Sequence, residues 1–170
     1  MSAEPVLAAL GLGANLGDPA SAMARALRML NDGEGAEVVA VSKLYRTPPW
    51  GLVEQPPFIN CCALVETSLS PEALMQRCLD IEKELKRVRD VRWGPRLIDI
   101  DILTYGTRAL QTETVTIPHP RMLERGFVLM PLAEIAPDMA VNGRPVAEWV
   151  TEADISGIVA VSDDGSWWTA

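Results

Sequence analysis

A chain of 170 residues that is 48% hydrophobic and 22% charged can bury one sizeable core, and its composition excludes a disordered, fibrous or collagen-like polymer. Its formal net charge of -8 excludes a binder of nucleic acid or anionic membrane that works through an extended positive field. The positive charge is instead concentrated: residues 83–96 hold six Lys or Arg against two Asp or Glu, a local +4, so everything outside that stretch sums to -12.

Residues 6–13 form an apolar run that predicts a buried strand breaking into a glycine turn. The opening residues lack the basic segment of a secretory signal and the length of a membrane span, so a cytoplasmic protein is expected. Asp18 or Ser21 is placed to cap a helix whose Met23, Ala26, Leu27 and Leu30 recur at three- and four-residue spacing, with Gly33 beyond its end. Residues 37–46 predict a strand. Thr47-Pro48-Pro49-Trp50 ends it, because proline offers no amide to a ladder. Residues 58–66 resume as a strand. Ser70-Pro71 pairs an N-cap hydroxyl with proline at the first helical position, opening a helix to about Arg87 that buries Leu74, Cys78, Ile81 and Leu85. After Trp93-Gly94-Pro95 a strand over 97–105 sets Ile98, Ile100 and Ile102 on one face and Asp99 and Asp101 on the other. A hairpin through Gly106, helical turns over 121–136 and a short helix at 146–151 complete the chain.

This order predicts an α+β fold: a ferredoxin-like antiparallel sheet with helices packed on one face, and additional C-terminal strands and helices. The whole of 1–170 is read as one domain, with a catalytic core of about 6–150 and a C-terminal tail at 151–170. Parallel Rossmann winding fits less well: the glycine after Gly11-Leu12-Gly13 is Gly17, which breaks the dinucleotide spacing, and no Gly-Lys-Ser/Thr follows a glycine loop. Cys61, Cys62 and Cys78 are odd in number and form no Cys-x-x-Cys pair, so they are expected to stay reduced.

Asp99 and Asp101 leave one strand face with α carbons about 7 Å apart, a separation that suits a pair of divalent cations bridged by phosphate. The plain alternative is a solvated strand face. Arg87, Arg89, Arg92 and Arg96 offer planar forks for phosphate oxygens, although a helix C-terminus attracts cations by its dipole alone. His119, between two prolines, is stiffly held and suits a phosphate donor or an ordinary structural hydrogen bond. Phe58 and Asn60 share a strand face on which a flat heteroaromatic ring can stack and be read at its edge.

Together these segments resemble the 6-hydroxymethyl-7,8-dihydropterin pyrophosphokinase family. The resemblance runs from about residue 6 to residue 137. It is carried by Gly13-Ala14-Asn15-Leu16-Gly17, Tyr45-Arg46-Thr47-Pro48-Pro49, Phe58-Ile59-Asn60, Arg92-Trp93-Gly94-Pro95-Arg96-Leu97-Ile98-Asp99-Ile100-Asp101, Ile117-Pro118-His119-Pro120-Arg121 and Arg125-Gly126-Phe127. It implies transfer of diphosphate from ATP to the hydroxymethyl group of the reduced pterin, with release of AMP. By the same resemblance Asp99 and Asp101 hold two Mg2+. Arg87, Arg96, His119, Arg121 and Arg125 meet the triphosphate, and Arg89 and Arg92 belong to a catalytic loop. Phe58 and Phe127 sandwich the pterin, whose edge meets Asn60, Thr47, Pro48 and Trp50, with Asp99 beside it. Glu82 and the backbone of Ile102 fall at the nucleoside side. Three positions depart from the family pattern: Ala14 stands for a serine, Phe58 for a tyrosine and Leu79 for a glutamine. The implied partners are these two small molecules, with no nucleic acid and no membrane. A monomer is expected, with self-association through the tail as the second possibility. Two competing readings are a ferredoxin-like nucleotide sensor, which has no need of paired carboxylates, and a two-metal phosphohydrolase, which has no need of a ring pocket.

Overall fold

The computed structural model describes residues 4–15, 17–48, 57–88 and 98–169, the side chains of 87 and 88 excepted. In chain order the elements are β1 (Val6–Ala14), α1 (Pro19–Asp32), β2 (Ala36–Val41), β3 (Tyr45–Thr47), β4 (Phe58–Thr67), α2 (Pro71–Val88) and β5 (Asp99–Tyr105). There follow β6 (Leu110–Gln111), β7 (Thr116–Ile117), α3 (Gly126–Ile135), β8 (Ala140–Val141), β9 (Arg144–Pro145), α4 (Val146–Thr151) and β10 (Val159–Ala160). β1 lies between β4 and β5, antiparallel to both. β2 and β3 pair with successive lengths of β4, and β10 adds to β3 at the sheet edge.

Two expectations change here. The first strand runs one residue further than expected: β1 continues through Gly11 and Gly13 to Ala14, with partners on both sides holding their backbone in the ladder, and Gly17 beyond it has a φ of +67°. The single strand over 37–46 is two strands. Residues 42–44 leave the ladder, and the buried Ser42 hydroxyl accepts the Cys62 amide at 3.0 Å while the Ser42 amide donates to the Cys62 carbonyl at 2.9 Å. No buried backbone group is stranded by that break, which is what makes it tolerable.

α1 and α2 pack on one face of the sheet, where Leu10, Leu12, Ala63, Val65, Ile100 and Ile102 meet Met23, Leu27, Leu74 and Ile81. Asp18 caps α1 by accepting the Ser21 amide at 3.2 Å, and Ser70 accepts the Ala73 amide at 3.1 Å at the start of α2. The opposite face is covered too, which corrects the one-sided arrangement. Ala9, Cys62, Leu64 and Leu103 meet Val128, Leu129 and Leu132 of α3 and Val146 of α4. β1 and β4 carry apolar side chains on both faces, and a strand of that kind needs cover on both. Truncating any of these fully buried leucines to alanine costs about 3–5 kcal/mol.

A bulge separates the two uses of β5. Leu10 pairs with Ile102 and Ala9 with Thr104, so Leu103 is the extra residue. Before it, Ile98, Ile100 and Ile102 face α1 and α2 while Asp99 and Asp101 face the other way; after it, Tyr105 rejoins the α1 side. The helical turns expected over 121–136 are a 3-10 turn, Met122–Glu124, and α3. The cysteines are free and buried, and burial pushes the Cys78 thiol up to about 12.

Candidate active site

On the α3 side, the end of the sheet is stripped of bulk. Gly11 lies opposite Asp101 and Gly13 opposite Asp99, so each half-buried carboxylate has a neighbour with no side chain. On the other flank of β1, Gly13 pairs with Asn60. The Asn60 amide leans over that glycine so closely that a β carbon there would stand 2.6 Å from its nitrogen. The Thr47 hydroxyl donates to the Asn60 Oδ1 at 3.0 Å, and both residues are buried. One row across three strands therefore carries a carboxylate, a bare glycine and an amide whose orientation is fixed.

This row forms part of a cavity of about 700 Å³. Phe58 and Phe127 line it, the first from the start of β4 and the second from the first turn of α3. Arg125 stands at the N-terminus of α3 with its guanidinium 5.7 Å from the centre of the Phe127 ring, a cation–π arrangement. His119 is held by its backbone: its amide donates to the Leu103 carbonyl at 2.9 Å. The Arg121 amide donates to His119 Nδ1 at 3.2 Å, so a neutral imidazole carries its proton on Nε2. Burial draws the His119 pKa below its usual value; Asp101 opposes that shift, and Arg125 and Arg121 reinforce it. The shift favours the neutral ring, in which Nε2–H is the donor.

Glu82 reaches β5 from α2 and accepts the Ile100 amide at 2.7 Å, satisfying a donor on the strand's open edge. Burial raises its pKa, the Ile100 amide opposes the rise, and Asp99 and then Asp101 add to it. Asp99 and Asp101 provide hard oxygen donors beside open space. Among the described residues no group of three or more His, Cys, Asp or Glu converges. Carboxylate oxygens of this kind suit Mg2+, which retains water and takes phosphate oxygens.

Of the residues singled out in the sequence, Thr47, Pro48, Phe58, Asn60, Asp99, Asp101, His119, Arg125 and Phe127 all line the one cavity. Glu82, Ile102 and Arg121 do not: Glu82 holds the edge of β5, the Ile102 side chain is buried against α1 and α2, and Arg121 is exposed. Trp50, Arg89, Arg92 and Arg96 lie outside the described residues, and so does the side chain of Arg87. Sequence reading missed Gly11, Gly13 and Glu124, together with Asp154, Ser156 and Ile158 of the tail. The two glycines carried a signal, being two apart like the aspartates across from them. The tail residues carried none, since only tertiary pairing brings them to the cleft.

The family model described as 7,8-dihydro-6-hydroxymethylpterin-pyrophosphokinase matches residues 9–137. A 2-amino-4-hydroxy-6-hydroxymethyldihydropteridine pyrophosphokinase of Methylorubrum extorquens is 48% identical over 152 residues, covering 89% of this chain and 96% of that one. Its counterpart in Bacillus subtilis is 43% identical over 129 residues, covering 76% and 77%. Among solved structures, the Plasmodium falciparum wild-type HPPK-DHPS with pteroate aligns at a TM-score of 0.70 and 14% identity over 89% of this chain. This chain spans 45% of that longer one, and the likeness there is one of fold.

Proposed function

The chain belongs to the 7,8-dihydro-6-hydroxymethylpterin-pyrophosphokinase family, and on that premise we infer that its cleft transfers diphosphate from ATP to the hydroxymethyl group of 6-hydroxymethyl-7,8-dihydropterin. The products are AMP and the pterin diphosphate, an intermediate for folate biosynthesis. The observation that carries the reading is that paired carboxylates, Asp99 and Asp101, open on the same cavity as a ring-binding set, Phe58, Asn60 and Phe127.

The pterin stacks between Phe58 and Phe127, and the Asn60 amide, fixed by Thr47 and pressed over Gly13, reads its edge. Trp50 and Pro48 complete that edge. Asp99 and Asp101 would hold two Mg2+, which would supply neutralisation of the phosphate charge. Arg125 and the Nε2–H of His119 donate to phosphate oxygens; a neutral imidazole does so without exchanging a proton. Arg87, Arg96 and the loop arginines Arg89 and Arg92 add guanidinium forks, and Arg121 contributes charge from outside the cavity. Glu82 and the Ile102 backbone bound the nucleoside end. The hydroxymethyl oxygen attacks the β-phosphorus and gives up its proton to solvent, a new oxygen–phosphorus bond forms, and the bond from the β-phosphorus to the α-phosphate oxygen breaks as AMP leaves with that electron pair. Alignment and charge neutralisation dominate such a displacement, so no side chain is assigned as an obligatory base.

The same reading takes the 170 residues as one domain with a ferredoxin-like core, β1-α1-β2-β4-α2-β5, acting as a monomer in the cytoplasm. Completion of the sheet by β10 supports the single domain. Among the described residues no helix is long and apolar enough to cross a membrane. The test is to incubate the protein with ATP, Mg2+ and the reduced hydroxymethylpterin and to identify the nucleotide released. AMP that appears only with the pterin is the expected result; ADP, or release without pterin, overturns the assignment.

A further inference from the structure

The family match ends at residue 137, yet three residues beyond it, Asp154, Ser156 and Ile158, line the cleft. Two close approaches hold them there. Gly126, next to Phe127, lies so near the Asp154 carbonyl that any β carbon would collide with it, and Ile155 packs beside the same glycine. Gly157, with φ at +78°, sits so that a β carbon would stand 2.7 Å from Pro48, the neighbour of Thr47. The segment is therefore wedged between the two places where the ring-binding end of the cleft begins.

Its far side is anchored by the sheet. Val159 pairs with Arg46 and Ala160 with Tyr45, the Val161 amide donates to the Leu44 carbonyl at 2.8 Å, and the Leu44 amide donates to the Ser162 hydroxyl at 2.9 Å. A 3-10 turn, Gly165–Trp168, then locks the end: Trp167 Nε1 donates to the Ser42 carbonyl at 2.8 Å, and Arg28 on α1 donates to the Trp168 carbonyl at 2.7 Å. A segment held at both ends against backbone presents a firm wall to the cavity: Ile158 is buried, Asp154 and Ser156 are exposed, and the Asp154 carboxylate accepts the Ser156 amide at 3.0 Å.

We propose that residues 154–158 are a specificity-determining wall of the cleft: they limit which ring system enters between Phe58 and Phe127 and take no part in phosphoryl transfer. The proposal rests on the pterin reading given above. The wall admits the bicyclic pterin and turns away rings that carry extra bulk on the edge facing Ser156 and Ile158.

The test uses the full chain with Ser156→Trp, which fills the cavity from the wall, and Ile158→Ala, which hollows it. Thermal unfolding is recorded for each variant, equilibrium binding of the pterin is followed by its own fluorescence, and ATP binding is followed by calorimetry. Ser156→Trp should weaken pterin binding about tenfold while ATP binding stays within about twofold. Ile158→Ala should raise kcat/KM for ring-alkylated pterins, alkylated in turn at each open ring position, by about fivefold relative to the unmodified pterin. Parent-like pterin binding by Ser156→Trp, or equal loss toward both substrates, overturns the wall. So does an unchanged preference in Ile158→Ala, which stands as the test if the tryptophan variant fails to fold. A parent protein that releases no AMP in response to pterin sinks the transfer reading itself, an outcome distinct from an active parent with indifferent variants.

Discussion

The acidic end of the cleft and its aromatic end are assembled in opposite ways. Asp99 and Asp101 come from one strand, and the glycines facing them come from its immediate ladder partner. Thr47, Phe58, Phe127 and the wall at 154–158 come from four separate stretches of chain, joined by β3, β4, the start of α3 and the docked tail. The acidic end thus needs only correct register between two strands. The aromatic end needs the completed fold, including a strand added at the sheet's edge by the last residues. A pair of carboxylates built on adjacent strands is stiff by construction, whereas a pocket built from distant pieces is where selectivity can be adjusted without disturbing the proposed chemistry.

The largest expected effect separates the two ends by function. Asp101→Ala should lower kcat by about 10²-fold or more, with the melting temperature little changed; pterin-dependent AMP release measures it, and parent-like turnover would remove the metal role. Gly13→Ala should act on the aromatic end from beneath, because its methyl group displaces the Asn60 amide; pterin affinity should fall about tenfold, read by fluorescence titration, while ATP affinity holds. Phe58→Ala should weaken pterin binding by about 1 kcal/mol or more and leave ATP binding alone, a split that calorimetry with each substrate resolves.

Two smaller effects sharpen the comparison. Trp167→Phe keeps most of the packing but strands the Ser42 carbonyl, so denaturant unfolding should show a loss of about 1 kcal/mol, and pterin affinity should fall more than ATP affinity because the lost bond anchors the wall. Glu82 bears on the acidic end. Its folded pKa is raised, so the folded protein binds this proton more tightly than the unfolded chain, and the stability so contributed is present at low pH and lost as pH rises through the raised value. Glu82→Gln, which can still accept from Ile100, should flatten that part of the melting-temperature profile from the ordinary glutamate range upward. A variant profile parallel to the parent's would show that the raised pKa has no part in stability.

What was legible in the sequence follows the same division. The alternation of Ile98, Ile100 and Ile102 with Asp99 and Asp101 is a period-two pattern, and it places the carboxylates on one face whatever the rest of the chain does. The caps at Asp18 and Ser70 and the spacing of Leu27, Leu74 and Ile81 likewise specify α1 and α2 locally. The resemblance of short motifs supplied Phe58 and Phe127, both of which line the cavity, as the proposed ring-binding pair. Other features had no local signature: nothing near Gly11 and Gly13 shows that they will lie opposite Asp101, Asp99 and Asn60, and Ser42 looked like strand because its bond to Cys62 spans 20 residues.

By itself, then, the order of residues determined most of the elements, the face carrying the acids and the chemistry those acids suit, because periodicity, capping and side-chain type act within a few residues. Only the tertiary structure decided that helices cover both faces, that Leu103 bulges to turn β5 between its two roles, and that residues 154–158 close the cleft. Those outcomes depend on which backbone donors and apolar faces find partners far along the chain, and no local pattern records that pairing.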